Sequence, residues 1–210
     1  MAEPSAPTSL YSAYFAEASP QIYIVPRWSG TPQSDWYPRA MRTVETHPSA
    51  GLAILAMPDW NTPIIEASVH ALRQMLPPEA LHKDVYLVGH SIGCQALLHY
   101  LESIAHTHPH TRIGGLLCVA AWFEVDRHWD TIAPWLSAKI DYASISPLCR
   151  EITVLISDND PFTADYARNT HLWQTRLHAD VQLFPSMRHF NDEGCVGPIE
   201  HLLQWITRKA

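Results

Sequence analysis

Residues 85–93 read VYLVGHSIG and lead into a segment whose apolar residues recur at helical spacing. Residues 85–88 are apolar at consecutive positions, which is typical of a strand buried on both faces of a sheet. The helical spacing predicts a helix over 93–104. The pattern G-x-S-x-G between such a strand and such a helix predicts a sharp turn, which would raise the hydroxyl of Ser91 clear of the sheet.

Strand and helix alternate through the rest of the chain. Further apolar runs predict strands at 21–25, 52–57, 113–120, 152–156 and 181–184, and helical spacing predicts helices at 64–75, 162–177 and 198–206. Asp160-Pro161 offers a cap and an early proline for the helix at 162–177. This alternation predicts an α/β protein with a doubly wound, mainly parallel sheet. We expect one domain over 16–210, a flexible lead-in over 1–15, and a minimal or absent cap domain, since 210 residues leave no room for a large one.

Composition narrows the classes of function. The chain has 14 Lys and Arg against 21 Asp and Glu, and its basic residues are scattered, so we expect no nucleic-acid partner. The longest apolar runs are far shorter than a membrane span, so we expect no membrane association. Four cysteines without a C-x-x-C pair, behind a start that does not read as a signal peptide, favour reduced thiols in a cytoplasmic protein.

Polar residues follow two later strands at the edge where the G-x-S-x-G turn should lie. The string SDNDPF occupies 157–162, and PSMRHF occupies 185–190. A serine hydroxyl needs a base to remove its proton, and the α/β-hydrolase fold places nucleophile, acid and base in that chain order. We therefore predict Ser91 as nucleophile and His189 as base. The acid is Asp158 or Asp160, and spacing alone does not distinguish them.

The start of the predicted helix supplies a further catalytic group. The turn would aim the backbone N–H of Ile92 at the site, where it could bind a developing oxyanion. Gly89 and Gly93 suit the crowded positions two before and two after the serine. The alternative interpretation is an ordinary strand–glycine–helix turn with a passive serine.

The same sequence resembles the small serine hydrolases of the α/β-hydrolase class that are related to retinoblastoma-binding protein 9. The resemblance spans nearly the whole chain after the lead-in, and it is carried by VPRW at 25–28 with Trp36 after it, GHSIG at 89–93, DNDPF at 158–162 and HF at 189–190. It implies that Asp160, directly before Pro-Phe, is the acid, that His189 is the base, and that Trp28 gives a second oxyanion N–H. Two features depart from the family pattern. Arg188 stands where relatives tend to have glycine, and Pro-Arg replaces a glycine-rich turn at 26–27.

The predicted reaction is acyl transfer to water. The expected partner is a small-molecule ester, thioester or activated amide, and the mechanism requires no cofactor and no metal. Two alternatives stay open at this point: an acyltransferase that uses the same acyl-enzyme, and a non-catalytic interaction module on the same fold. The sequence assigns no oligomeric state.

Two other segments contain residues that could bind a metal or a substrate. His106, His108 and His110 in HTHPH follow a predicted helix, and we interpret them as a solvated connection rather than a metal site. Residues 122–147 are rich in Trp and Phe and should lie over the carboxyl edge of the sheet. They could wall an acyl pocket or fill the core, and both interpretations carry equal weight.

Overall fold

The computed structural model describes residues 18–208, so the predicted lead-in at 1–15 lies outside the described residues. Its centre is one parallel sheet with the strand order β2-β1-β3-β4-β5-β6. The strands are β1 Gln21–Val25, β2 Gly51–Ile54, β3 Val85–His90, β4 Gly115–Val119, β5 Ile152–Ser157 and β6 Asp180–Phe184. All five strand pairings are parallel. The predicted α/β class with a mainly parallel sheet is confirmed.

Helices connect the strands. They are α1 Tyr37–Glu45, α2 Ile65–Met75, α3 Ile92–Thr107, α4 Ala133–Ser137, α5 Tyr142–Ile145, α6 Tyr166–Leu177 and α7 Val196–Thr207, with short 3₁₀ helices at Pro78–Ala80 and Ser146–Leu148. The sequence did not predict α1, in which a proline and two arginines interrupt the apolar positions. Among these helices, none is long and apolar enough to cross a membrane.

The predicted start of the sixth helix is wrong. α6 begins at Tyr166 rather than 162, and its cap is Asp165, whose side chain accepts the N–H of Arg168 at 2.8 Å. Asp160 instead accepts the N–H of Phe162 at 2.9 Å within a tight turn. The acid before the proline is therefore used at the sheet edge and does not cap the helix.

Strands β1 to β5 are largely buried on both faces, as the apolar runs predicted, whereas the residues of the edge strand β6 are exposed or half-buried. Along β3, Val85 and Leu87 belong to one core cluster, whereas Tyr86 and Val88 belong to the other. This alternation follows from the two-residue period of a strand. α3 packs with α2 on the first face, and α1 packs with α7 on the second.

The register of the sheet brings the loops with the candidate site residues to one edge. Val25 of β1 and Cys118 of β4 lie on either side of Gly89, and Ser157 of β5 lies beside Phe184 of β6. The segments that follow β1, β3, β5 and β6 therefore leave the sheet at the same edge. Ligands of open α/β sheets bind at this edge.

Candidate active site

Ser91 sits on a strained turn between β3 and α3. Its backbone has φ 55° and ψ −119°, in a region that residues other than glycine rarely adopt. A Cβ on Gly89 would lie 2.6 Å from the backbone of Cys94, and one on Gly93 would lie 2.3 Å from the carbonyl oxygen of Val25. Only glycine fits at these two positions. The two glycines thus let the chain fold back tightly enough to present the serine at the sheet edge.

The Ser91 side chain points into a cavity that it shares with His189. The indole Nε1–H of Trp122 donates to the serine Oγ at 3.5 Å. Within residues 18–208, no hydrogen bond joins the Ser91 hydroxyl to the His189 imidazole. The structure thus places both side chains at one cavity without a direct bond between them.

His189 is bonded to Asp160. The imidazole Nδ1 lies 2.7 Å from the carboxylate Oδ2, and the two side chains are only 7% and 1% exposed. Because a carboxylate only accepts hydrogen bonds, Nδ1 carries a proton, and in a neutral imidazole the acceptor lone pair is then on Nε2. The ring of Phe162 meets the imidazole edge-on, with centroids 4.8 Å apart. This arrangement fixes both the tautomer and the orientation of the imidazole.

The structure separates the two competing acids. Asp160 contacts the His189 imidazole, whereas the Oδ1 of Asp158 accepts the backbone N–H of Ser186 at 2.7 Å. Asp158 therefore binds the loop that carries the histidine, and it does so three residues before His189.

Two further side chains hydrogen-bond to the same loop. Ser157 Oγ accepts the N–H of Met187 at 2.9 Å, and Asn159 Oδ1 accepts the N–H of Arg188 at 2.7 Å. Ser157 also donates its own hydroxyl proton to Asn159 Oδ1 at 2.9 Å. The loop needs this support because residues 186, 188 and 190 have φ between 50° and 58°, which is costly for residues other than glycine. Each of residues 157–160 thus hydrogen-bonds to one of residues 186–189.

The turn after β1 leaves one backbone donor free. The N–H of Arg27 donates to the Tyr37 hydroxyl at 3.0 Å, and the N–H of Ser29 donates to a carbonyl at 3.0 Å. Between them, the N–H of Trp28 has no acceptor among the residues that the structure describes. Ile92 is the first residue of α3, and the first N–H groups of a helix have no partner within it. Trp28 and Ile92 both line the cavity of Ser91.

The cavity has a volume of about 270 Å³ and a largely aromatic wall. Its apolar lining consists of Trp28, Ile92, Trp122, Val125, Trp129, Ile132 and Phe162. Trp28 and Trp129 stack with ring centroids 6.0 Å apart and planes 15° apart. A wall of this kind suits the apolar part of a small ligand.

Residues 122–147 were interpreted from the sequence either as a pocket wall or as part of the core, and the structure shows residues of both kinds. Trp122 and Trp129 wall the cavity, whereas Phe123 and Trp135 are buried in the core. The segment also contains the short helices α4 and α5. Part of the segment therefore lines the cavity of Ser91, and part of it fills the core.

Some residues of the site were missed by sequence reasoning. Ser157 and Asn159 belong to the polar string at 157–162, but spacing along the chain does not show which N–H group each one faces. For Trp122, the sequence predicts only an aromatic residue near the carboxyl edge of the sheet. Its contact with Ser91 depends on the packing of β4 beside β3, which no local pattern reveals.

The histidines of HTHPH lie away from this cavity. His106 belongs to α3, and His108 follows its last turn with Nε2 3.5 Å from a carboxylate oxygen of Glu79. Over residues 18–208, no group of three or more His, Cys, Asp or Glu side chains could hold a metal ion.

Comparison with known proteins identifies the class. The sequence profile of the serine hydrolase family matches residues 22–208, and the chain belongs to this family. A putative hydrolase of Bacillus subtilis (strain 168), YdeN, is 25% identical over 140 residues, which cover 67% of this chain and 70% of that protein. The predicted hydrolase function is thereby confirmed, and the chain is an enzyme that acts on ester-type bonds.

Solved structures share the fold. The ydeN gene product of B. subtilis superposes with a TM-score of 0.76 at 22% identity, covering 90% of this chain and 99% of that one. XC6422 of Xanthomonas campestris, described as an α/β serine hydrolase without lid, gives 0.51 at 16% identity and covers 92% and 85%. The RedJ thioesterase of Streptomyces coelicolor gives 0.62 at 16% identity and covers 97% and 96%. The predicted α/β-hydrolase fold is confirmed.

Proposed function

We propose that this serine hydrolase cleaves small acyl esters and thioesters through an acyl-enzyme on Ser91, with His189 as base and Asp160 as orienting acid. The single observation that carries the proposal is the buried 2.7 Å bond between His189 Nδ1 and Asp160 Oδ2, made by an imidazole that lines the cavity of Ser91. Such a bond is the His–Asp half of a Ser-His-Asp triad.

The first step is attack by the serine. The Ser91 hydroxyl turns from Trp122 towards His189, and catalytic hydrogen bonds of this kind commonly tighten only when substrate is bound. Its oxygen bonds to the substrate carbonyl carbon as its proton passes to His189 Nε2. The carboxylate of Asp160 stabilises the imidazolium that forms.

The negative charge of the tetrahedral intermediate falls on the former carbonyl oxygen. The N–H groups of Ile92 and Trp28 are the donors proposed to bind it. Their support is that both residues line the cavity and that the N–H groups on either side of Trp28 are already used. One well-placed donor of this type contributes on the order of 3 kcal/mol to the transition state.

The second half of the reaction releases the acid. His189 gives its proton to the departing alcohol or thiol, and the carbon–oxygen or carbon–sulfur bond breaks. Water then attacks the acyl-enzyme and loses a proton to His189. The bond between the acyl carbon and Ser91 Oγ breaks, His189 returns the proton to Oγ, and the acid leaves. Apart from the substrate and water, every step uses only groups of the chain itself. We further propose the cytoplasm as the place of action, since the four cysteines are free thiols.

The proposal is tested by Ser91→Ala. Turnover of p-nitrophenyl esters of graded chain length should fall by roughly 10⁴- to 10⁶-fold, and labelling by a fluorophosphonate should vanish. Ser137→Ala removes the hydroxyl of an exposed serine of α4 that does not line this cavity, and it should leave both readouts unchanged. Wild-type-like turnover and labelling of the Ser91→Ala protein would contradict the proposal.

A further inference from the structure

A buried chain of three hydrogen bonds connects the three segments of the site. The N–H of Arg27 and the Tyr37 hydroxyl lie 3.0 Å apart, and that hydroxyl lies 2.8 Å from His90 Nδ1. His90 Nε2 lies 2.9 Å from the backbone carbonyl oxygen of His189. Tyr37 and His90 are both 0% exposed. The chain therefore links the residue before Trp28, the residue before Ser91, and His189 itself.

The direction of every proton in this chain is determined. A backbone carbonyl only accepts, so His90 Nε2 carries the proton and Nδ1 of the neutral ring is an acceptor. The Tyr37 hydroxyl must then donate to His90 Nδ1, and one of its lone pairs accepts the N–H of Arg27. Each of these donors and acceptors has a partner, and no other arrangement of the protons satisfies all of them.

The surroundings of His90 favour its neutral form. Burial lowers the pKa of His90 well below its ordinary value of 6.5, the nearby His189 and Arg27 lower it further, and only the bond to the His189 carbonyl acts the other way. The remaining charged group that faces it is Asp35, 3.9 Å from Nδ1, whose carboxylate is paired with the Arg27 guanidinium at 2.7 Å. Burial raises the pKa of Tyr37 well above its ordinary value.

We propose that Tyr37 and His90 are positioning residues, which hold the oxyanion turn, the nucleophile and the base in one fixed arrangement. This inference rests on the proposed function. Neither side chain lines the cavity, so neither touches substrate. They act through backbone atoms: His90 through the carbonyl of His189, and Tyr37 through the N–H next to that of Trp28.

The arrangement predicts a specific kind of defect. Without the Tyr37 hydroxyl, the N–H of Arg27 and His90 Nδ1 both lose their partner inside the protein. The ring of His90 is then held only by its bond to the His189 carbonyl, so its orientation, and with it the position of His189, is less firmly fixed. Errors of about 1 Å in catalytic geometry reduce turnover by up to roughly 100-fold. The aromatic cavity remains intact, so substrate binding is spared.

The test compares Tyr37→Phe with Tyr100→Phe. Tyr100 is also fully buried, and its hydroxyl also makes a backbone hydrogen bond, to the carbonyl oxygen of Leu76 away from the site. We expect Tyr37→Phe to lower kcat by roughly 10- to 100-fold at an unchanged KM for p-nitrophenyl butyrate. Tyr100→Phe should match its loss of stability in urea while keeping kcat and KM.

Equal kcat for the two variants, in an active wild type, would overturn the inference and leave the proposed function standing. A wild type without serine-dependent turnover would instead refute the proposed function. A second measurement needs no variant. Nitrogen-15 spectra of the histidine rings should show His90 neutral with its proton on Nε2 at pH 7, and a proton on Nδ1 alone would overturn the inference even if Tyr37→Phe does not fold.

Discussion

The two sides of the cavity are built differently. On the catalytic side, Asp160 and His90 hold His189 through directed hydrogen bonds between buried atoms. The apolar wall of the cavity is instead formed by rings, such as those of Trp28 and Trp129, that stack on each other. Hydrogen bonds depend steeply on distance and angle, whereas contacts between apolar rings tolerate small shifts.

This difference separates positioning from binding. Loss of one polar atom on the catalytic side leaves a buried partner unsatisfied and releases a catalytic group. Loss of an aromatic ring changes the volume and the apolar area that a substrate meets. Substitutions on the catalytic side should therefore act on kcat, and substitutions in the aromatic wall should act on KM.

The largest effect is expected from the acid on the catalytic side. Asp160→Asn should lower kcat on the order of 10⁴-fold, because an amide can stabilise the wrong tautomer of His189. Asp158→Asn is the matched control, since its side-chain oxygen can still accept the N–H of Ser186. Steady-state kinetics of both variants decide the matter, and a crippled Asp158→Asn beside an active Asp160→Asn would move the acid to Asp158.

A smaller effect is expected from the wall. Trp129→Leu removes the ring that stacks on Trp28 and should lower kcat/KM for a hexanoyl ester by roughly 10-fold, mainly through KM. The acetyl ester, which reaches less of the wall, should be affected less. If kcat instead falls equally for both esters, Trp129 belongs with the positioning side and the comparison fails.

The smallest effect is on stability at acidic pH. Burial lowers the pKa of His90 in the folded protein, so the unfolded chain takes up the proton first as pH falls below 6.5. The free energy of unfolding should then decrease by up to about 1.4 kcal/mol per pH unit on account of this residue.

Urea unfolding at several values between pH 7 and pH 5 measures this slope. His90→Gln should flatten it, whereas substitution of the exposed His70 by Gln should leave it unchanged. The buried His99 and His201, whose pKa values burial also lowers, contribute to the slope in both variants. An identical slope in wild type and His90→Gln would show that His90 takes no part in it.

The sequence predicted the sheet and the site edge because these depend on local patterns. Consecutive apolar residues in β3 reflect burial on both faces, and Gly89 reflects a contact with Cys94, a few residues further along the chain. Gly93 was predicted from the G-x-S-x-G pattern, although the atom that requires it is the distant carbonyl oxygen of Val25. His189 was predicted from its place after β6. The choice of Asp160 over Asp158 came only from the family resemblance.

Other features depend on contacts between distant parts of the chain. Asp160 precedes a proline and resembles a helix cap, but its oxygens bond to Phe162 and His189 instead. Tyr37 lies 53 residues before His90, on a helix whose short apolar pattern was overlooked. Nothing in the spacing of these residues indicates that they meet, because the meeting is set by the packing of α1 on the sheet.

The central claim is that Ser91 carries the acyl group during turnover and that His189 activates it. The most direct measurement is peptide mapping by mass spectrometry of the enzyme after reaction with a fluorophosphonate, in wild type and in His189→Ala. From this claim we expect a single adduct on the peptide that contains Ser91, formed at least 100-fold more slowly in the variant. An adduct on another residue, or equal rates in the two proteins, would contradict it.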